Sequence, residues 1–418
     1  MPALSRLFAL LCVSSAASHA SAADRPNVVL IISDDHAWTD YGFMGHPRVR
    51  TPAIDRLAAD GRLFTRGYVT TSLCSPSLAT LLTGRYPHVH GITGNDPVAG
   101  KDRNDWLGPF FDLPLLPRLL ADAGYRTLHT GKFWMGEPAR VGFTDDMGAT
   151  DRHGGRALAI GRQTMAPIDT FVADAVARDE PFFVWYAPFL PHTPHNPPER
   201  LLANYTDVKN RRDAKYLAMV EWLDETCGQL LRTLDDARVA SDTLVIYIAD
   251  NGWGRDGKCF PYENGVRTPI ILRGPGVELS RDDTHLAGII DVVPTILDAC
   301  GIDRPAGLPG LNLLDDDAVG TRRHLFQAQF AHDMISADDP AASLWSRGVV
   351  GERLKLIEWV PEPPAVRPSR DGWRHKNAGV DVELFDVLAD PAESREVSAD
   401  YPSEVAELRA ALDAWWRP

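Results

Sequence analysis

The 418-residue chain carries 57 acidic against 43 basic residues, a net charge of -14, with 44% apolar and 24% charged residues. That length suits one large domain with an appendage, or two domains. The acidic balance makes a nucleic-acid backbone an unexpected partner, because like charge repels it over most of the surface.

The opening stretch MPALSRLFALLCVSSAASHASAAD sets Arg6 before an apolar run and small residues ending Ala20-Ser21-Ala22. Residues 1–22 therefore read as a secretory signal peptide, cut near Ala22 or Ala23, which predicts a periplasmic or secreted protein. The run is too short to span a bilayer, and bulky Leu11 before Cys12 is a poor fit to a lipoprotein cleavage site, so no stable membrane anchor is expected. Removal of the signal leaves Cys74, Cys227, Cys259 and Cys300 without C-x-x-C spacing. Neither a disulfide scaffold nor a zinc site is indicated, and one bridge among the last three stays open.

PNVVLIISDD (26–35) is a nearly continuous β-branched run ending in two carboxylates, the pattern of a parallel strand buried on both faces. TPAIDRLAADG (51–61) follows as a helix. CSPSLATLLTGR (74–85) starts small and polar, places Cys74 on the step into a second helix, and stops at Thr83-Gly84. LPLLPRLLADAG (113–124) is helical, YRTLHTGK (125–132) and PFFVWYAPF (181–189) are strands, residues 214–236 form a long helix, and DTLVIYIADNG (242–252) is another buried strand. Strand alternating with helix predicts an α/β domain over 23–315 with a mainly parallel central sheet flanked by helices. Beyond about residue 310 the alternation fades. HLFQAQF (324–330), SRGVVGERLKLIEW (346–359) and VELFDVL (382–388) read as strand candidates, PEPPAVRPSRDG (361–372) as a loop, and SEVAELRAALDAWW (403–416) as a closing helix. This predicts a smaller C-terminal α+β subdomain over 316–418.

Functional groups in parallel sheets gather at the carboxyl ends of strands. Here those ends carry Asp34-Asp35, Gly131-Lys132, His192 and Asp250-Asn251. Adjacent aspartates repel unless something positive lies between them, and four hard oxygen donors suit calcium, with magnesium as the alternative, better than zinc. Lys132, His192 and Lys258 add positive or proton-donating groups, which an anionic ester needs as charge moves onto its leaving oxygen.

NVVLIISDD, CSPS followed by LLTGRYPHVHG, the Gly-Lys of GKFWMG, APFLPHTP, IADNG and GKCFPYENGVRTP occur in the order seen in the sulfatase family, and LFDVLADPAESREV looks like its C-terminal signature. The chain resembles that family over roughly residues 25–415. The resemblance implies an alkaline-phosphatase-like fold and a cysteine converted to formylglycine by a formylglycine-generating enzyme. By position, Cys74 is the modified residue and touches the calcium held by Asp34, Asp35, Asp250 and Asn251; Lys132 and Lys258 contact the sulfate, and His192 protonates the departing alcohol. A gem-diol attacks through one hydroxyl and releases sulfate by deprotonation of the other.

Two positions depart from the pattern. Leu78 stands where the family has an arginine one turn after the cysteine, and Trp134 where it has a histidine. His36, His129, His88 and His90 are the candidates to supply an imidazole instead, and Leu78 packed on Trp134 is the apolar alternative. Three functions compete at this level: a sulfatase acting on small or carbohydrate sulfate esters, a phosphate or phosphonate monoesterase using unmodified Cys74 or Ser75, and a non-catalytic protein that binds sulfated ligands.

Overall fold

The computed structural model describes residues 25–133, 137–149, 151, 153–254, 257–361, 364 and 380–418. The signal peptide, Trp134 and most of the 361–372 loop lie outside the described residues.

Eight strands form the central sheet: β1 (Asn27–Ser33), β2 (Arg62–Phe64), β3 (Arg126–Gly131), β4 (Asp145–Asp146), β5 (Phe182–Ala187), β6 (Thr243–Ala249), β7 (Ile270–Arg273) and β8 (Ser280–Asp282). Their spatial order is β8-β2-β7-β6-β1-β5-β3-β4. Neighbours are parallel except where β7 meets β2 and β6. The four strands read from the sequence are β1, β3, β5 and β6. Short β7 and β8 were not foreseen, because four and three residues are too few to show a period.

Alternation along β1 explains why its sequence is apolar throughout. Val28, Leu30 and Ile32 enter the core on one side of the sheet, with the Cys74–Thr83 and Val292–Ala299 helices. Val29 and Ile31 enter the other, with the Pro52–Ala59 and Arg211–Asp236 helices. Each such side chain contributes roughly 1.5–3 kcal/mol by leaving water.

Register levels the strand ends. Ser33 pairs with Ala249, and Gly131 with Ala187. Asp34, Asp250 and Lys132 therefore leave the sheet at the same edge, beside the chain that follows β5.

The C-terminal sheet is antiparallel, in the order β9 (Leu325–Phe330), β10 (Leu344–Val350), β11 (Leu354–Trp359), β12 (Val382–Asp386). The run at 346–359 is thus two strands, with Val350 opposite Lys355. Leu408 and Leu412 of the Pro402–Trp415 helix pack on Val349, Leu356 and Leu384. Cys74, Cys227, Cys259 and Cys300 are all buried thiols, so no disulfide joins the cysteines left open above. Among the described residues no helix is long and apolar enough to cross a membrane.

Candidate active site

Cys74 opens the Cys74–Thr83 helix, which Gly84 closes in a left-handed conformation. Pro76 fits in the first turn, where its missing N–H has no intrahelical partner to lose. Of the other first-turn donors, Ser75 N–H donates to Asn95 Oδ1 at 2.9 Å and Ser77 N–H to the Leu73 carbonyl. The preceding turn is fixed from the C-terminal sheet, where Gln329 Oε1 accepts from Ser72 N–H at 3.0 Å.

Cys74 Sγ lies 3.9 Å from Oδ1 of both Asp34 and Asp35. Asp35 adopts φ 58, a left-handed backbone that aspartate tolerates better than most residues. Its N–H meets Asp250 Oδ1 at 3.2 Å, and its Oδ1 accepts from Asn251 Nδ2 and Lys258 Nζ, both at 2.7 Å. Lys132 Nζ sits 2.6 Å from Asp34 Oδ2 and 3.4 Å from Asp250 Oδ2. His192 Nε2 lies 3.4 Å from Asp35 Oδ2 and 3.3 Å from Lys258 Nζ; its ring stacks on Phe189 at 4.3 Å. All eight candidates from the sequence (Asp34, Asp35, Cys74, Lys132, His192, Asp250, Asn251 and Lys258) thus meet at one sheet edge.

The electrostatics of that meeting are unbalanced. Burial pushes Asp34 and Asp35 up, but Lys132 and Lys258, with His192, outweigh it and hold both below the usual carboxylate range. Burial, then the Asp34 charge, push Asp250 up to about 8. Burial also pushes the Cys74 thiol up to about 12, far from a reactive thiolate. Three carboxylates face two ammonium groups, and without a further cation among them the crowding is relieved by Asp250 holding its proton near neutral pH.

A divalent cation fits this donor set. Ligand atoms of Asp34, Asp35, Cys74 and His192 come within 4.8 Å of one another. Asn251 Oδ1 is buried with no hydrogen-bond partner among the described residues, an unusual state for an amide oxygen. A dication would let Asp250 ionise, and three carboxylates, two ammonium groups and the ion would then sum to plus one, suited to a singly charged anion.

The four alternative histidines do not enter the site. His36 is held by the Asp40 carbonyl and Tyr247 hydroxyl and stacks on Tyr41; burial pushes it down to about 3. His129 packs on Phe133 and Phe143, and burial takes it to about 3 as well. His88 stacks on Trp416, while His90 bonds Thr80 within the core. Leu78 shares the Cys74 face of the helix and is buried in the main core cluster. Its proposed packing on Trp134 lies outside the described residues.

The sulfatase family model matches residues 26–302, about two thirds of the chain. The chain belongs to the sulfatase family. The N-acetylgalactosamine-6-sulfatase of Canis lupus familiaris is 30% identical, over 73% of this sulfatase and 69% of the relative. Arylsulfatase A of Homo sapiens is 31% identical, over 67% and 65%. The chain thus spans about two thirds of the length of these relatives. Ulvan-active sulfatase of Formosa agariphila is 25% identical over 94% and 80%. Among solved structures, Ps i-CgsB in complex with k-i-k-neocarrahexaose superposes with TM-score 0.76 at 23% identity, covering 94% of this chain and 92% of that one. BT4656 in complex with its substrate D-glucosamine-2-N,6-O-disulfate gives 0.70 at 20%, covering 93% and 97%. The fold is therefore the alkaline-phosphatase-like α/β architecture with an appended antiparallel sheet, and the protein is a sulfuric ester hydrolase.

Asn95 and Gln329, which brace the start of the Cys74 helix and the turn before it respectively, were missed from the sequence. For Gln329 a signal existed: Gln327 and Gln329 share one face of an apolar strand, where polar residues need partners.

Proposed function

We propose that this sulfatase hydrolyses sulfate esters of carbohydrates in the periplasm or outside the cell, through a formylglycine made from Cys74 and a calcium ion held by Asp34, Asp35, Asp250 and Asn251. The observation that carries the reading is the crowding of three carboxylates beside Cys74, which keeps a proton on Asp250 where a cation would otherwise sit, together with the buried Asn251 Oδ1 that has no partner among the described residues. The sugar substrate is supported by the names of the relatives: N-acetylgalactosamine-6-sulfatase, ulvan-active sulfatase and a neighbour bound to a disulfated glucosamine.

The calcium would supply fixed positive charge to the non-bridging sulfate oxygens. The modified side chain would supply an aldehyde hydrate, one hydroxyl to attack sulfur and a second whose deprotonation expels sulfate. The remaining chemistry belongs to groups present in the chain. Lys132 and Lys258 hold the sulfate on two sides, and burial keeps their charges effective by excluding water. The sulfur–oxygen bond to the alcohol breaks as His192, 3.3 Å from Lys258 Nζ, gives its Nε2 proton to the departing oxygen. The Thr193 carbonyl accepts from His192 Nδ1–H at 2.5 Å and orients the ring, so Nε2 has a proton to give only in the imidazolium form, which Asp35 Oδ2 at 3.4 Å favours. The dipole of the Cys74–Thr83 helix adds partial positive charge at its N-terminal end, although the Ser75 and Ser77 N–H groups are already engaged. The unmodified thiol is a weak competitor as nucleophile, since burial keeps it protonated.

In this reading residues 23–315 supply the reacting groups and residues 316–418 brace them. The decisive measurement is the mass of the tryptic peptide 67–85 from protein made beside a formylglycine-generating enzyme, with hydrazide trapping of an aldehyde at residue 74. An aldehyde there, together with sulfate release, is expected. An intact thiol in a preparation that releases sulfate would overturn the formylglycine route. N-terminal sequencing of exported protein should begin at or next to Ala23.

A further inference from the structure

Trp253 lies two residues beyond Asn251, and its backbone packs so closely on Gly257 that a Cβ there would fall 2.5 Å from the Trp253 carbonyl carbon. This backbone contact sets Trp253 beside Gly257, the residue before Lys258. The indole ring meets His195, three residues after His192, edge-on at 5.3 Å, and stacks on Tyr216 at 5.7 Å with the planes 22° apart. Tyr216 is itself anchored to the site, because its hydroxyl accepts from Ala37 N–H, two residues after Asp35. The Arg212 guanidinium lies over Trp253 at 5.7 Å. Trp253 and His195 are partly exposed and Arg212 is exposed. None of the three has a part in the sulfate chemistry, yet they border the two residues that face the departing alcohol.

We infer that Trp253, His195 and Arg212 form a sugar subsite on the leaving-group side, which takes a pyranose ring on the indole and a second anionic group, a carboxylate or sulfate, on Arg212. The inference rests on the carbohydrate-sulfatase reading and deepens it. An aromatic ring presents a flat apolar face to the C–H face of a sugar, and its NH edge stays wet. Arginine offers a planar fork for a carboxylate or sulfate that lysine does not. In a chain of net charge -14, a basic group beside the pocket mouth also steers anions to it. Because Tyr216 is held by the backbone next to Asp35, the platform is preorganised with respect to the reacting centre.

The test uses full-length protein with Cys74→Ala and calcium, so that binding is read without turnover. The probes are the chondroitin 6-sulfate disaccharide and the same disaccharide with its uronate carboxyl reduced to an alcohol. Trp253→Ala should raise the Kd of both by about tenfold, and Trp253→Phe should restore most of it. Arg212→Gln, a change at an exposed position, should raise only the Kd of the uronate form, by about fivefold. No detectable binding, an unchanged Kd in Trp253→Ala, or an equal effect of Arg212→Gln on both probes would overturn the subsite. Should residue 74 prove unmodified, the catalytic reading falls while these binding results stand, so the two failures are separable.

Discussion

Lys132 Nζ and Asp34 Oδ2 lie 2.6 Å apart with both side chains 3% exposed, joining residues 98 apart in sequence across the ends of β1 and β3, the two strands that flank β5. The pair shows how the site uses charge. The lysine meets its carboxylate through a buried, charge-assisted bond while still reaching toward Asp250, so it is a shared counterion and not a simple partner. Lys132→Met should lower kcat/KM for sulfate release by about 100- to 1,000-fold, the scale seen when one donor to a developing anion is removed. Steady-state assay with an aryl sulfate checks it, and a loss below threefold would remove Lys132 from the reacting centre.

Calcium should raise the melting temperature, because it binds the folded state and the acidic cluster is scattered on unfolding. At one hundred times its Kd the gain is about 2.7 kcal/mol. Asp250→Asn removes one of the three crowded carboxylates, so that variant should be at least as stable as the parent in chelator and should gain much less from calcium. Differential scanning fluorimetry in EDTA and in calcium reads both effects. Identical melting curves in the two buffers would contradict the metal assignment.

Much of this was legible in the sequence, for a reason that can be stated. Asp34-Asp35 and Asp250-Asn251 each end a fully buried strand, and parallel pairing in register leaves such ends level. Lys132 follows a third strand in the same way. Asn95, Trp253 and Tyr216 were not legible, because their roles depend on loops meeting across long sequence separations that no local pattern encodes. The histidines show the converse. His36 and His129 stand beside site residues in sequence, but strand and turn geometry sends their rings into aromatic neighbours, where burial keeps them neutral. The strands β7 and β8 were hidden by their shortness, and the split between β10 and β11 by three ordinary turn residues, Gly351–Arg353.

A second buried ion cluster ties the two sheets together. Lys355, fully buried on β11, lies 3.1 Å from Glu263 and 2.9 Å from Glu393, and Glu263 N–H donates to Glu393 Oε2 at 2.7 Å. Tyr262, next in chain, packs on Ile357, Trp359 and Phe385 of the same sheet. Lys355→Met should cost about 3–5 kcal/mol, since it removes the buried cation from between two buried carboxylates, one of which keeps Arg267 at 3.5 Å. Adding Glu393→Gln in the same chain should recover part of the loss. Urea midpoints in calcium buffer measure it, and a single-variant loss under 1 kcal/mol would show the cluster to be better hydrated than its burial implies.

Asp224 offers a pH effect remote from the sulfate. Its carboxylate accepts from Ala53 N–H at 3.1 Å and Ile54 N–H at 2.8 Å, at the start of the Pro52–Ala59 helix, yet burial pushes it up to about 7. Because the folded pKa lies above the unfolded one near 4, the folded state holds the extra proton between those values. The stabilisation is complete below pH 4 and is lost as pH rises through 7. Asp224→Asn keeps an acceptor for the helix and has no such loss, so it should exceed the parent at pH 8 by on the order of 2 kcal/mol. Chemical denaturation at pH 5 and pH 8 tests the sign; a parent that gains stability on the way to pH 8 relative to the variant would reverse it.

Cys74 is 1% exposed, roofed by side chains that arrive from as late as residue 258, on a loop held down by the final hundred residues. The pocket therefore closes near the end of synthesis, when nearly the whole polypeptide is available. Any enzyme that alters Cys74 has to act on the nascent or exported chain before that closure. Under the formylglycine proposal, the timing of folding, no less than the motif around the cysteine, would set what fraction of molecules becomes active.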